Sequence, residues 1–275
     1  MVSKSRSPMS LADPAIGCSV VIPTWNEQAW LPRLLASLHS HPDVREIIVA
    51  DNSSTDMTVS IAASSGCSVV RGGRPARARN AGAGIAQSDV IMFVDADAVV
   101  PPEATSRALQ LLLTADVSVV HFPLVPLSQN VLVKACYKIM DWYLYLLHRI
   151  SVPQGMGSYL AVRRSDFWRI GGFREELAAA EDVDFVRRAA RHGVVCYDRT
   201  CSVYVSARRL RLENPAWYIV KAMVWALLRL TRTRASLFPY RWETYPESFA
   251  LEENAQLQRS DVPIRALREK ECKHV

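Results

Sequence analysis

The stretch Val90–Glu103 reads V-I-M-F-V-D-A-D-A-V-V-P-P-E. Five apolar residues without a polar break suit a strand buried on both faces, as in the middle of a parallel sheet. They run straight into two carboxylates one residue apart, and Pro101-Pro102 then stops the strand from continuing. Asp95 and Asp97 should therefore stand at the exposed carboxyl end of a buried strand, the edge at which open α/β sheets bind ligands. Two acids this close repel each other unless a cation joins them, which suits a hard divalent ion with a phosphate-bearing substrate. A solvated pair of loop aspartates is the plain alternative, and a lone D-x-D does not decide between them.

The preceding chain repeats the same construction. Cys18–Pro23 is a short apolar run ended by a proline, followed by Asn26, Glu27 and a helical spacing of Trp30, Leu31, Leu34, Leu35 and Leu38. Glu46–Ala50 supplies a second strand, and Asp51 opens a polar turn in which Asp56 suits the N-cap of a helix over Met57–Ser65. Cys67–Val70 is a third strand. Arg71–Gly84 then combines loop glycines with four arginines, a mixture able to bring backbone N–H groups and guanidinium forks to a phosphate. Three β-α units before Val90 predict a parallel sheet with helices on both faces. The turns after strands one, two and four would share one edge, so Glu27, Asp51, Asp95 and Asp97 converge.

Further on, the pattern predicts a helix over Pro102–Thr114 and a strand over Val117–Phe122. Apolar residues at 131, 132, 135, 136, 139, 140, 143, 146, 147 and 150 then mark one face of a helix over Val131–Ile150, a face for the core or for a second copy in a homodimer. Its aromatics leave a lipid or sugar acceptor open. Tyr159–Arg163 reads as a strand, Ser165–Phe173 as a short helix ended by paired glycines, and Glu181–His192 as a helix whose first-turn acids the helix dipole alone would favour. Val194–Tyr197 closes this half. Arg208, Arg209 and Arg211 precede an apolar helix over Pro215–Arg232, which either docks on the domain or touches a membrane interface through residues 215–234.

Composition excludes several classes. The chain has 275 residues and a formal net charge of +6, yet its basic residues form no single stripe with interleaved aromatics, which disfavours nucleic acid. The six cysteines include no C-x-x-C pair, so reduced thiols in a cytoplasmic protein are the simplest reading. Residues 1–16 are Ser-rich without an apolar core, a disordered tail rather than a signal peptide. Trp217–Leu230 is broken by Lys221 and falls short of the ~20 residues that span a bilayer. The expected location is the cytoplasm, with contact to the inner face of the membrane left open.

Taken together, V-V-I-P-T-W-N-E, V-A-D-N-S-S-T-D, A-R-N-A-G, V-D-A-D, R-R-S-D-F-W-R-I-G-G-F and E-D-V-D-F resemble, in order, the pattern of glycosyltransferase family 2 over about Ser19 to Tyr204. The resemblance implies a GT-A (Rossmann-like) α/β fold, a mostly parallel sheet flanked by helices with a C-terminal helical extension. It implies a catalytic domain over residues 17–205 (nucleotide-sugar half to about 122, acceptor half beyond); outside it, the sequence pattern predicts a helical extension over 206–249 and, where the chain becomes charged and poorly periodic, a flexible tail over 250–275. It implies a nucleotide-sugar donor held by Pro23, Asn26, Glu27, Asp51, Arg79, Asn80, Asp95 and Glu181, with Mn²⁺ or Mg²⁺ on Asp97 and Asp95. Asp182 would be the catalytic base of an inverting enzyme. The acceptor is left open among a lipid phosphate, a saccharide, a peptide and a small natural product, and UDP-sugars are favoured over GDP-sugars.

Three departures matter. Ala50-Asp51-Asn52 stands where the family often has two acids and a glycine. The Q-x-x-R-W motif of processive members is absent, which favours transfer of a single sugar. Tyr204–Leu212 contains no histidine for the metal. A sugar nucleotidyltransferase is the alternative enzyme, although T-W-N-E stands where a Gly-rich loop with a lysine is expected, and an inactive nucleotide-sugar-binding protein is the non-enzymatic one.

Overall fold

The computed structural model describes residues 17–114, 116–177, 179–212 and 247–258. A seven-stranded sheet forms the centre, with spatial order β3-β2-β1-β4-β8-β6-β9. Its strands are β1 (Cys18–Thr24), β2 (Val44–Asp51), β3 (Ser68–Arg71), β4 (Val90–Val94), β6 (Val117–His121), β8 (Tyr159–Arg163) and β9 (Val194–Tyr197). β1 pairs in parallel with β2 and β4, and β2 with β3. β8 runs antiparallel to both neighbours, so the sheet is mostly parallel with one reversed strand. The helices are α1 (Leu31–His39), α2 (Thr58–Ser64), α3 (Pro75–Ile85), α4 (Pro102–Leu112), α5 (Val131–Arg149), α6 (Arg164–Ile170), α7 (Glu181–Ala189), α8 (Arg208–Leu212) and α9 (Glu247–Gln258).

The unbroken apolar runs are explained by burial on both faces. Val20, Ile22, Met92 and Val94 join one core cluster with Leu31, Leu34 and Ala108, while Val21, Ile91 and Phe93 join the other with Phe167, Phe173 and Phe185. Each fully buried side chain of this kind contributes about 1.5–3 kcal/mol, and alternation has no solvent face to serve. On the second face α3 lies close to β1: a Cβ on Gly82 would stand 2.3 Å from Val21 Cγ1, so glycine there sets the spacing.

A second, three-stranded sheet was not predicted. It joins β5 (Ala98–Val99), β10 (Val203–Val205) and β7 (Leu124–Pro126), with β10 antiparallel to β5 and parallel to β7. Two or three residues per strand carry too little periodicity to be read from sequence. This sheet places the chain after β10 directly behind the D-x-D.

Three further expectations change. The stripe on α5 is rotated: Val133, Cys136, Leu144 and Leu147 are buried, whereas Val131, Leu132, Ile139, Trp142, Leu146 and Ile150 are exposed among the described residues. Val133 and Cys136 of this line form a small core with Ala207 and Leu210. Residues 250–258, expected in a flexible tail, belong to α9, and Glu253 within it is fully buried. Asp56 acts one residue outside the expected position: its Oδ1 accepts from the N–H and hydroxyl of Thr58, the first residue of α2. No described helix is long and apolar enough to cross a membrane, and the expected helix over Pro215–Arg232 lies outside the described residues.

Candidate active site

Because β1, β2 and β4 run in parallel, the loops leaving them emerge on one edge, and α3 brings Arg79 across to them. A cleft of about 190 Å³ opens there, lined among others by Pro23, Glu27, Arg79, Asp95, Asp97, Glu181 and Asp182. Arg79, only 3 % exposed, is its central cation: it donates to Glu181 Oε1 at 2.5 Å and to Asp95 Oδ1 at 2.8 Å. This one guanidinium ties the strand-four acid to the first residue of α7.

Asp182 follows it in the first turn of α7. Its Oδ2 accepts from Gly157 N–H at 2.6 Å and its Oδ1 from Val183 N–H at 2.8 Å, so two backbone donors fix the carboxylate. Gly157 is required for that approach: a Cβ there would lie 2.9 Å from Arg79 and 3.2 Å from Asp182 Oδ2. Asp95 also accepts from the Ser158 hydroxyl at 3.0 Å. Burial opposes ionisation of Asp95, but Arg79, Arg209 and Ser158 outweigh it and hold the carboxyl below its ordinary range.

The other end of the cleft is built around Arg208, at the start of α8. Its two terminal nitrogens donate to Glu27 at 2.7 and 2.8 Å, and its Nε lies 2.9 Å from Asp97 Oδ2 as an ion pair. The guanidinium stacks on Trp30 with 4.4 Å to the ring centroid. Backbone pairing positions it: Ser206 N–H donates to Asp97 O at 3.1 Å, extending the β5–β10 ladder. Burial is the main influence on Glu27 and raises its carboxyl to about 7, with Arg208 pulling the other way. Arg209 adds an exposed cation to the same cleft.

Three expected donor contacts lie elsewhere. Asp51 is buried and accepts from the Thr24 hydroxyl and from both the N–H and hydroxyl of Ser54, so it shapes the loop after β2. Asn26, with φ 53°, accepts from Thr55 N–H and joins the loops after β1 and β2. Asn80 exchanges two hydrogen bonds with the backbone of Phe173, tying α3 to the turn after α6. None of the three lines the cleft.

No group of three or more His, Cys, Asp or Glu side chains poised to hold a metal occurs among the described residues. The donor chemistry nevertheless fits a hard ion. Glu27, Asp95, Asp97, Glu181 and Asp182 outnumber Arg79, Arg208 and Arg209 in the cleft, leaving an excess of negative charge, and Mg²⁺ commonly uses one or two carboxylates completed by phosphate oxygens and water. Asp97 would exchange its contact with Arg208 for such an ion.

Sequence reasoning missed Arg208 as a site residue. The available signal was an arginine pair directly after a short β run, in the window where the family resemblance sought a histidine. Ser158 was hidden in what reads as a flexible glycine turn.

A mostly parallel sheet whose fourth strand ends in a D-x-D, facing an acid that opens a later helix, places the molecule in the GT-A fold class. The chain belongs to glycosyl transferase family 2, whose model matches residues 19–171. It is 25 % identical over 186 residues to an uncharacterized glycosyltransferase of Haemophilus influenzae, covering 61 % of this chain and 60 % of that one. It is 26 % identical over 278 aligned positions to the validoxylamine A glucosyltransferase of Streptomyces hygroscopicus subsp. limoneus, covering 80 % and 57 %. The chain thus spans 60 % and 57 % of the lengths of these relatives. Among solved structures, S. aureus TarS in complex with UDP-GlcNAc matches with a TM-score of 0.56 at 20 % identity, over 70 % of this chain and 59 % of that one. The mannosyltransferase PcManGT from Pyrobaculum calidifontis, in complex with GDP-Man and Mn²⁺, matches with a TM-score of 0.60 at 20 % identity, over 87 % and 68 %.

Proposed function

We propose that this protein transfers one glycosyl unit from a nucleotide-diphosphate sugar to an acceptor hydroxyl, with inversion at the anomeric carbon. One observation carries the reading: Asp182 and the D-x-D acids share a single cleft, joined through the Arg79–Glu181 and Arg79–Asp95 pairs. A binding protein needs cations for a diphosphate but has no need of an oriented carboxylate opposite them.

In this mechanism the acceptor oxygen attacks the anomeric carbon while the bond from that carbon to the diphosphate oxygen breaks, and the diphosphate departs with the electron pair. Asp182 takes the acceptor proton; its two backbone hydrogen bonds aim it without consuming all its lone pairs. Arg208 and Arg209 face the charge that develops on the diphosphate, and fixed cations in a partly desolvated cleft stabilise such charge more than water does. Mn²⁺ or Mg²⁺ held by Asp97 with Asp95 beside it would add Lewis-acid stabilisation of the same charge. Arg79 is already committed to Asp95 and Glu181 and serves as the frame.

UDP-sugars are the first donors to test and GDP-sugars the second, since TarS and PcManGT bind one of each. The test is a donor and acceptor screen read by mass spectrometry, run beside Asp182→Asn. The variant is expected to keep donor affinity and lose transfer by about 10²–10⁴-fold. Full turnover by the variant would remove Asp182 from the base role.

A further inference from the structure

Helix α9 inserts an acid into the domain. Among its residues with described side chains Ala250 and Glu253 are buried, Phe249 is half-buried and Leu251 is 70 % exposed. The Glu253 carboxylate is fully buried, and a buried charge is stable only where donors are built to receive it. They are: Glu253 Oε1 accepts from the Ser206 hydroxyl at 2.8 Å and Ala207 N–H at 3.0 Å, while Oε2 accepts from Trp30 Nε1 at 3.4 Å and lies 3.6 Å from Arg33.

Each of these partners also touches the surroundings of Arg208. Ser206 Oγ accepts from Arg208 N–H at 3.1 Å, and the Trp30 ring is the surface on which the Arg208 guanidinium stacks. Arg33 reaches Asp97 O. Glu253 therefore clamps the turn before Arg208 to the start of α1.

We propose that Glu253 is a positioning residue of the glycosyltransferase site: it holds the Ser206–Ala207 turn and Trp30 in the one arrangement that aims Arg208 at Glu27 and Asp97, and so sets affinity for the donor diphosphate. The proposal rests on the reading of the cleft as a nucleotide-sugar site. It assigns helix α9 a part in donor binding, carried by one side chain, that its sequence does not suggest.

The test is a double-mutant cycle between Glu253→Gln and Arg208→Ala in the full chain, read as the dissociation constants of UDP and GDP in Mn²⁺ by calorimetry, with thermal melts as a folding control. Glu253→Gln should weaken nucleotide binding about fivefold when Arg208 is present and leave it unchanged in the Arg208→Ala background, because a positioning residue has nothing left to position. Ser206→Ala, a milder break in the same clamp, should follow the same pattern if Glu253→Gln folds poorly. A merely structural role would lower the melting temperature and the active fraction but leave the dissociation constant of the folded protein unmoved. That result, or equal effects in both backgrounds, would overturn the proposal while leaving the nucleotide-sugar reading intact. Failure of the wild type to bind UDP or GDP at all would overturn both.

Discussion

Replacing Arg79 by glutamine probes the frame of the site without touching a proposed reacting group. The substitution removes a cation that is 3 % exposed and leaves Asp95 and Glu181, whose side chains are only 21 % and 13 % exposed, beside Asp182. It also removes the donor to Gly157 O and the cation over the Phe173 ring. Taking one partner from a buried ion pair costs about 3–5 kcal/mol, because the charge left behind is uncompensated. Residual solvent at both acids and the nearby Arg209 place the expectation at the low end, about 3 kcal/mol. Against the 5–15 kcal/mol typical of a folded domain, that loss is large.

The pH dependence makes this prediction specific. In the wild type Asp95 is held below its ordinary range, with burial opposing and Arg79 the leading favourable influence. A depressed folded value means that the stability it contributes is present above the unfolded pKa, near 3.9, and is lost as pH falls through the folded value. Without Arg79, burial pushes Asp95 upward, so the variant carries its penalty at neutrality and sheds it on protonation. The two urea-unfolding free energies should differ by about 3 kcal/mol at pH 7 and converge as pH falls toward about 4. A difference under about 1 kcal/mol at pH 7, or one independent of pH between 7 and 4, would refute the view that Arg79 compensates these acids.

Two further outcomes are expected. Chelation with EDTA should abolish glycosyl transfer and added Mn²⁺ should restore it; undiminished turnover in EDTA would show that Arg208 and Arg209 neutralise the diphosphate alone. The second concerns buried His121 and half-buried His148, whose Nε2 atoms lie 3.0 Å apart. His148 Nδ1 donates to Leu144 O at 2.8 Å, so in the neutral pair its Nε2 accepts from His121 Nε2–H. Burial, and for His121 also the neighbouring His148, lowers both pKa values, so the unfolded chain binds more protons. The stability they contribute is present above about pH 6.5 and lost as pH falls below it. A melting temperature that falls between pH 6.5 and 5, and falls less in His121→Leu, is the expected result; a flat profile would refute it.

The fold was legible where burial dictates composition. Val90–Val94 and Cys18–Pro23 could be placed as central strands because a strand covered on both faces has no use for polar residues. The stripe on α5 left core and subunit contact both open, and five large apolar residues on it face outward: periodicity records which residues are apolar, not which face the domain covers. The acids of the site were legible because they sit immediately after strand ends, where β-α topology fixes their location in advance. Asp51 shows the limit of that rule. It stands at the right strand end, yet Thr24 and Ser54 take up its oxygens, and nothing in an acid's position along the chain says whether it turns toward the cleft or the loop.

The cations obey no such rule, and that asymmetry separates what sequence can and cannot show about this kind of site. An aspartate pair at the end of β4 must be neutralised, but the neutralising group can come from any segment that folds back to it. Here Arg79 comes from a helix and Arg208 from the first position of α8, reached through a three-stranded sheet whose strands are too short to read. The D-x-D is therefore the visible half of two ion pairs, Asp95 with Arg79 and Asp97 with Arg208. Its two acids differ in consequence. Asp95 is locked into the frame that orients Asp182, whereas Asp97 is paired with Arg208, a contact that the proposed metal ion would replace. Asp97→Asn should therefore impair donor binding, while changes at Asp95 should disturb the frame as well.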